Sequence, residues 1–188
     1  MNDRDIVRGT LGCHVCGTEY PVTDGVADFT LGQPVPAPSH GNDVASSTDE
    51  ELALRAAALL DLAEPGGFAL LTGAWSACAP SLTALTPRVH LLALDASTTI
   101  PSGGGISLAR AHDTIPVRPH ACRGIALDAA HTTPNLVATA VDALRPGGRL
   151  VAPASLLLPP GLTELARDEH HWVAAKASPP PVVRIRKK

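Results

Sequence analysis

Short apolar runs alternate with helical patterns along most of this 188-residue chain, and this alternation limits the possible folds more than any other feature. Runs typical of buried strands lie at 68–72, 89–94, 106–109, 124–127 and 149–154. Helical spacing of apolar residues is found at 49–62, 79–85 and 134–144. Strands separated by helices form parallel sheets, so we predict an α/β, Rossmann-like fold with helices on both faces of the sheet.

Composition excludes several classes of function. The formal net charge is −3 and aromatic residues make up only 3% of the chain, so neither a broad basic face nor a base-stacking platform is expected. We therefore predict no nucleic-acid binding. No apolar run reaches the roughly 18–20 residues of a membrane helix, which predicts no membrane association and a cytoplasmic protein.

The chain divides by composition into three parts. Residues 1–31 form a small, turn-rich, β-rich unit, residues 32–47 read as a Pro-rich linker, and residues 48–188 carry the α/β pattern. At the end of this last part the spacing predicts a helix over 162–168 and strands over 172–175 and 182–185.

Three segments in the α/β part resemble class I S-adenosylmethionine (SAM)-dependent methyltransferases. They are Leu91–Ser97 (LLALDAS), Gly124–His131 (GIALDAAH) and Ala143–Val151 (ALRPGGRLV). The last is the most specific, because Gly147-Gly148 provides a tight turn into a strand and Pro146 stops the preceding helix. The resemblance covers about residues 49–188 and implies a methyltransferase-type sheet.

The resemblance also implies positions for a SAM site. Asp95 matches the acid that binds the cofactor's ribose hydroxyls, Gly73 matches the first glycine of the cofactor loop, and Asp128 follows the fourth strand. The loop otherwise departs from the family pattern, since Leu71 replaces an acid and Trp75 and Ala77 replace glycines. A Trp side chain at that place would fill the space of the cofactor's methionine part, so we expect SAM binding to be weak or absent.

The N-terminal segment Leu11–Phe29 resembles half of a short zinc ribbon of the kind found in methyltransferase activators. Cys13-x-x-Cys16-Gly17 forms a knuckle that presents two thiolates to one zinc ion. A structural zinc site needs four ligands, and no other Cys or His precedes Cys13. Three interpretations stay open: zinc has been lost, two chains share one site, or residues upstream of Met1 complete it.

Two functions follow from these patterns. The first is a catalytically degenerate methyltransferase-fold protein, a pseudoenzyme, that acts through a protein partner or self-association. The alternative is an active SAM-dependent methyltransferase on a small molecule or another unknown acceptor. A third hypothesis places a different nucleotide in the cleft, with its ring stacked on Trp75. No catalytic residue is assigned, and we interpret His131 as a solvated loop residue rather than a general base.

Overall fold

The computed structural model describes residues 6–14, 16–35, 48–96 and 100–178. The strands are β1 (Gly9–Gly12), β2 (Glu19–Thr23), β3 (Val26–Asp28), β4 (Phe68–Thr72), β5 (His90–Leu94), β6 (Ile106–Arg110), β7 (Cys122–Ala126), β8 (Leu144–Pro153), β9 (Leu162–Arg167) and β10 (His171–Lys176). The helices are α1 (Asp49–Leu59), α2 (Ala79–Leu85) and α3 (Pro134–Ala143), with a 3-10 helix over Gly73–Cys78. The predicted strand 182–185 and most of the predicted linker, 36–47, lie outside the described residues.

All ten strands of the described residues belong to one sheet, in the order β1-β2-β3-β6-β5-β4-β7-β8-β10-β9. The strands from β3 through β8 are parallel, and β10 returns antiparallel between β8 and β9. The predicted α/β, Rossmann-like fold is therefore confirmed. The strand order reverses between β4 and β7, and ligands of such sheets bind at the carboxyl ends of the strands beside this switch point.

The helices cover both faces of the sheet, as predicted. Helix α1 begins with a capping box, in which the side chains of Thr48 and Glu51 each accept a bond from the other's backbone N–H. Together α1 and α2 bury one apolar cluster against the sheet, and α3 buries a second cluster on the opposite face. No helix among the described residues has the length and apolar character needed to cross a bilayer.

The N-terminal strands extend the same sheet. β1, β2 and β3 form an antiparallel meander, and β3 then pairs in parallel with β6 through Val26–Leu108 and Asp28–Arg110. The division into units 1–31 and 48–188 stays a prediction, but the two are joined by backbone hydrogen bonds.

Two local predictions differ from the structure in more than their bounds. Residues 162–168 were expected to be a helix, but residues 162–167 form strand β9, because pairing with β10 outweighs the helical spacing of the apolar side chains. The Gly147-Gly148 turn lies inside β8, where Cys122 pairs with Leu144 and Gly124 already pairs with Arg149. The intervening residues of β8 form a bulge there.

Candidate functional site at the carboxyl edge

The three residues predicted to hold a cofactor come together at the carboxyl edge of the sheet. Gly73 follows β4, Asp95 follows β5, and Asp128 lies two residues after β7. β4 lies between β5 and β7, so the two carboxyl groups flank the end of the central strand. Both Asp95 and Asp128 are buried. The topology therefore assembles the predicted set at the switch point.

His131 lies between the two carboxyl groups. Its Nε2 is 3.0 Å from Asp95 Oδ2, and its Nδ1 forms a short hydrogen bond with Asp128 Oδ1. The side chain is fully buried, with 0% exposure. The interpretation of His131 as a solvated loop residue is therefore wrong: the residue bridges the ends of β5 and β7.

The surroundings of His131 favour its charged form. Burial alone lowers the pKa of this imidazole, but hydrogen bonds to Asp128 and Asp95 and attraction to both carboxylates outweigh it and raise the pKa to about 9. At neutral pH the imidazole is then protonated, and both of its N–H groups donate. A buried cation thus holds two acids that were predicted to face a ligand.

Asp128 is also tied to the end of β4. Its backbone N–H donates to Thr72 Oγ1 at 2.9 Å, and its Oδ2 accepts from the Ala74 N–H at 3.3 Å. Thr72 was not identified from the sequence, and no pattern around it pointed to this role. For His131 a signal existed, since it follows Asp128 by three residues in a tight loop and donates its backbone N–H to Asp128 O.

Gly73 permits a close approach, but the approaching group is part of the protein. A Cβ atom at position 73 would lie 2.1 Å from Asp128 Oδ2, and the backbone there has a positive φ of 47°. The resemblance assigned this close approach to a cofactor. Here the Asp128 carboxylate takes the space beside the glycine.

Asp95 makes a second contact besides His131. Its Oδ1 accepts from the Ala111 N–H at 3.2 Å, just after β6. With one oxygen on a backbone amide and the other on His131, the side chain is oriented toward the protein. A groove of about 930 Å³ begins beside Asp95 and Ala96 and runs toward β2 and β3.

The 3-10 helix packs Trp75 into the core under α1. The indole is 0% exposed, and its ring meets the His171 ring edge-on with centroids 5.2 Å apart. Leu71, at the predicted acid position, belongs to the same apolar cluster. Trp75 therefore has no open face for a nucleotide ring, contrary to the third hypothesis. Its Nε1 lacks a hydrogen-bond partner within the described part of the chain.

These contacts do not fit SAM in the arrangement described. A ribose at Asp95 would have to displace His131 from a charged hydrogen bond, and Leu71 offers no group for the cofactor's ammonium. The residues predicted to bind the cofactor lie at the carboxyl ends of neighbouring strands. Their binding groups are used within the protein.

The predicted metal ligands lie at the far end of the sheet, in the turn after β1. Cys13 is half-buried and Cys16 is exposed, and the Gly17 N–H donates to Cys13 O as in a knuckle. Hydrogen bonds from Thr18 lower the pKa of the Cys16 thiol to about 7. Among the described residues, no cluster of three or more Cys, His, Asp or Glu side chains could hold a metal ion. Two thiols alone do not make a structural zinc site.

Comparisons with known proteins give similarity in structure only. No protein-family model matches the chain, and no curated protein is similar to it in sequence. A domain from Corynebacterium diphtheriae assigned as a precorrin-6Y C5,15-methyltransferase is 17% identical, over 68% of this chain and 97% of that one, with a TM-score of 0.47. A protein from Methanococcus maripaludis assigned as a SAM-dependent methyltransferase is 12% identical, over 71% and 87%, with a TM-score of 0.48.

A third similar structure was solved with bound ligands. Geranyl diphosphate C-methyltransferase from Streptomyces coelicolor A3(2), in complex with S-adenosyl-L-homocysteine, is 12% identical over 54% of this chain, with a TM-score of 0.43. The match covers 42% of that enzyme, so the chain spans less than half of its length. The fold assignment itself rests on the strand order and helix placement described above.

Proposed function

We propose that this chain is a methyltransferase-fold protein whose cofactor cleft is closed by its own side chains and which acts through protein contacts. The observation that carries the proposal is His131, fully buried and bonded to both Asp95 and Asp128. A ligand entering at the end of β4 must break two charged hydrogen bonds that water does not reach.

The neighbouring residues support the same proposal. Trp75 and Leu71 contribute apolar bulk to the α1 side of this edge, and Asp128 fills the space beside Gly73. Trp75 stands where a cofactor would need an open loop, and Leu71 stands where it would need an acid. Asp128 covers the backbone that a cofactor would approach. The exposed apolar side chains Ile6 and Val7, beside the edge of the sheet, support a role in protein contacts.

A titration of the protein with SAM and with S-adenosylhomocysteine tests the closed cleft. We expect no binding heat for the unmodified chain at roughly millimolar ligand, a concentration at which cofactors of working enzymes bind fully. Micromolar affinity for either compound would overturn the proposal.

The second candidate is an active SAM-dependent methyltransferase, and one observation favours it. Gly73, Asp95 and Asp128 meet at the switch point, in the arrangement that the family resemblance assigns to the cofactor. In that case His131 moves aside on binding, Asp95→Ala abolishes SAM affinity, and labelled methyl reaches some acceptor. If neither binding nor transfer is detected with the folded protein, this second candidate fails.

A further inference from the structure

The turn between β1 and β2 holds two free thiols beside each other. The Gly17 N–H donates to Cys13 O and the Cys13 N–H donates to Thr18 O, each at 2.8 Å, so backbone bonds close the turn. Gly17 has a positive φ of 72°, a conformation that favours glycine. The Cys13 thiol forms a hydrogen bond with the Cys16 sulfur. The folded hairpin therefore brings the two sulfur atoms into contact while both are still thiols.

The two thiols differ in accessibility. Cys16 is exposed and Cys13 is half-buried. The Cys16 Sγ also lies 3.2 Å from Thr18 Oγ1, a contact that holds it at the surface of the turn. A reagent from solution therefore reaches Cys16 first. Once Cys16 has reacted, the neighbouring Cys13 sulfur is already in position to react with it.

The other two cysteines provide a contrast within the same chain. Cys78 and Cys122 belong to the two apolar clusters on the faces of the sheet. Burial raises the pKa of the Cys78 thiol to about 12 and the pKa of the Cys122 thiol to about 11. Buried thiols of this kind do not react with reagents in solution. We therefore expect the thiol reactivity of the folded chain to come from the hairpin.

The position of the pair favours thiol chemistry over a structural role. A structural zinc site needs four ligands, and the described residues contain no cluster of three or more that could supply them. A disulfide across two intervening residues removes little entropy from the unfolded chain, so it would add little stability. Exposed disulfides are the ones that exchange readily. The pair is therefore suited to reversible oxidation.

We propose that Cys13 and Cys16 form a redox-active dithiol that exchanges with low-molecular-weight disulfides. Cys16 is the attacking residue, because it is exposed, and Cys13 is the resolving residue, because its sulfur is adjacent. This activity goes beyond the proposed function and does not depend on it. The hairpin lies at the far end of the sheet from the closed cleft.

The exchange has two steps. The Cys16 sulfur loses its proton to water and attacks one sulfur of the external disulfide, which forms a mixed disulfide and releases one thiolate that takes up a proton. Cys13 then loses its proton and attacks the Cys16 sulfur, which closes the Cys13–Cys16 disulfide and releases the second thiol. In total the two cysteines lose two electrons and two protons, and the external disulfide gains both.

Reaction of the reduced full chain with oxidised glutathione, in the presence of a metal chelator, tests this assignment by intact mass. The unmodified chain should lose about 2 Da as the Cys13–Cys16 disulfide forms, and dithiothreitol should restore the original mass. Cys13→Ser lacks the resolving thiol and should stop at the mixed disulfide on Cys16, with a gain of about 305 Da. Cys16→Ser keeps only the half-buried thiol and should react about tenfold more slowly than Cys13→Ser.

The double variant with serine at both positions is the matched control, because it keeps Cys78 and Cys122 and should not react while folded. Three results would overturn the proposal. They are a mixed disulfide on Cys16 that persists in the unmodified chain, equal rates in the two single variants, and zinc that stays bound after chelation with both hairpin thiols unreactive. None of them affects the closed cleft, which the SAM titration tests separately.

Discussion

Two buried cations lie at opposite ends of the parallel strands, and their hydrogen-bond partners differ in charge. At the amino end, Arg123 of β7 donates to the carbonyls of Asp61 at 2.7 Å and Gly66 at 2.9 Å, and also to Glu64 O. At the carboxyl end, His131 lies between two carboxylates. Carbonyl oxygens are neutral and hold a loop in place, whereas carboxylates are groups that a ligand could have used.

The difference separates a cluster that supports the fold from one that lies at the switch point of the sheet. The Arg123 cluster connects β7 to the loop after α1. The His131 cluster uses the acids of the switch point for internal bonds. The two cations should therefore differ in how much unfolding free energy each contributes.

The largest effect is expected for His131→Ala. This substitution leaves Asp95 and Asp128 as buried carboxylates without their shared cation, which costs about 4 kcal/mol of unfolding free energy at pH 7. Urea denaturation measures it, with Thr132→Ala as the control in the same loop. A loss of less than about 1 kcal/mol would mean that the two carboxylates find other partners.

The next effect is a pH dependence that only the unmodified chain should show. Because folding raises the pKa of His131 from 6.5 to about 9, the folded state binds the proton more tightly. The stabilisation is complete below about pH 6.5 and is lost as the pH rises through about 9, which amounts to about 3 kcal/mol. Denaturation curves between these pH values check it, and His131→Ala should lack this loss. An equal slope in both proteins contradicts the assignment.

At the amino end, Arg123→Met should cost about 2–3 kcal/mol, less than the change at His131. The substitution keeps the buried bulk but leaves three carbonyl oxygens without their donor, and part of the loop can recover bonds with water. Arg123→Lys keeps the charge with fewer donors and should lose less. If Arg123→Met costs more than His131→Ala, the proposed ranking of the two ends is reversed.

The smallest effect is expected at Lys176, a half-buried cation that also binds carbonyls. Its Nζ donates to Val141 O at 2.6 Å and Leu144 O at 2.9 Å, at the end of α3. Lys176→Met should cost about 1 kcal/mol, because water can replace these bonds at a half-exposed site. A thermal melt compares it with Arg123→Met. Equal losses of stability in the two variants would show that burial of the cation has little effect on the cost of removing it.

Much of this fold was predictable from local pattern, and the misses have physical causes. Helix 79–85 and strand 68–72 have the predicted bounds, because flanking Pro and Gly residues and short apolar runs define them locally. Residues 162–168 were predicted as a helix because Leu162 and Leu165 have helical spacing. Their pairing with β10 is a tertiary contact that no local pattern contains.

The site shows more clearly that local sequence patterns do not contain tertiary contacts. Asp95, Asp128 and Gly73 were located by resemblance and topology, since strand ends converge in a parallel sheet. Whether those residues are free to bind a ligand depends on their hydrogen bonds to His131, whose partner Asp95 is 36 residues away in sequence. Local sequence shows that a His follows Asp128, but the burial that makes it a bridge arises only when β5, β4 and β7 are assembled.

The parallel pairing of β3 with β6 has a consequence for how the chain is held together. β6 would otherwise be the outermost strand of the α/β sheet, so the N-terminal strands complete it as a noncovalent subunit would. Cutting the chain between β3 and α1 would turn this pairing into a reaction between two fragments. Association of those two fragments would depend on the β3–β6 hydrogen bonds and on the apolar side chains that pack around them.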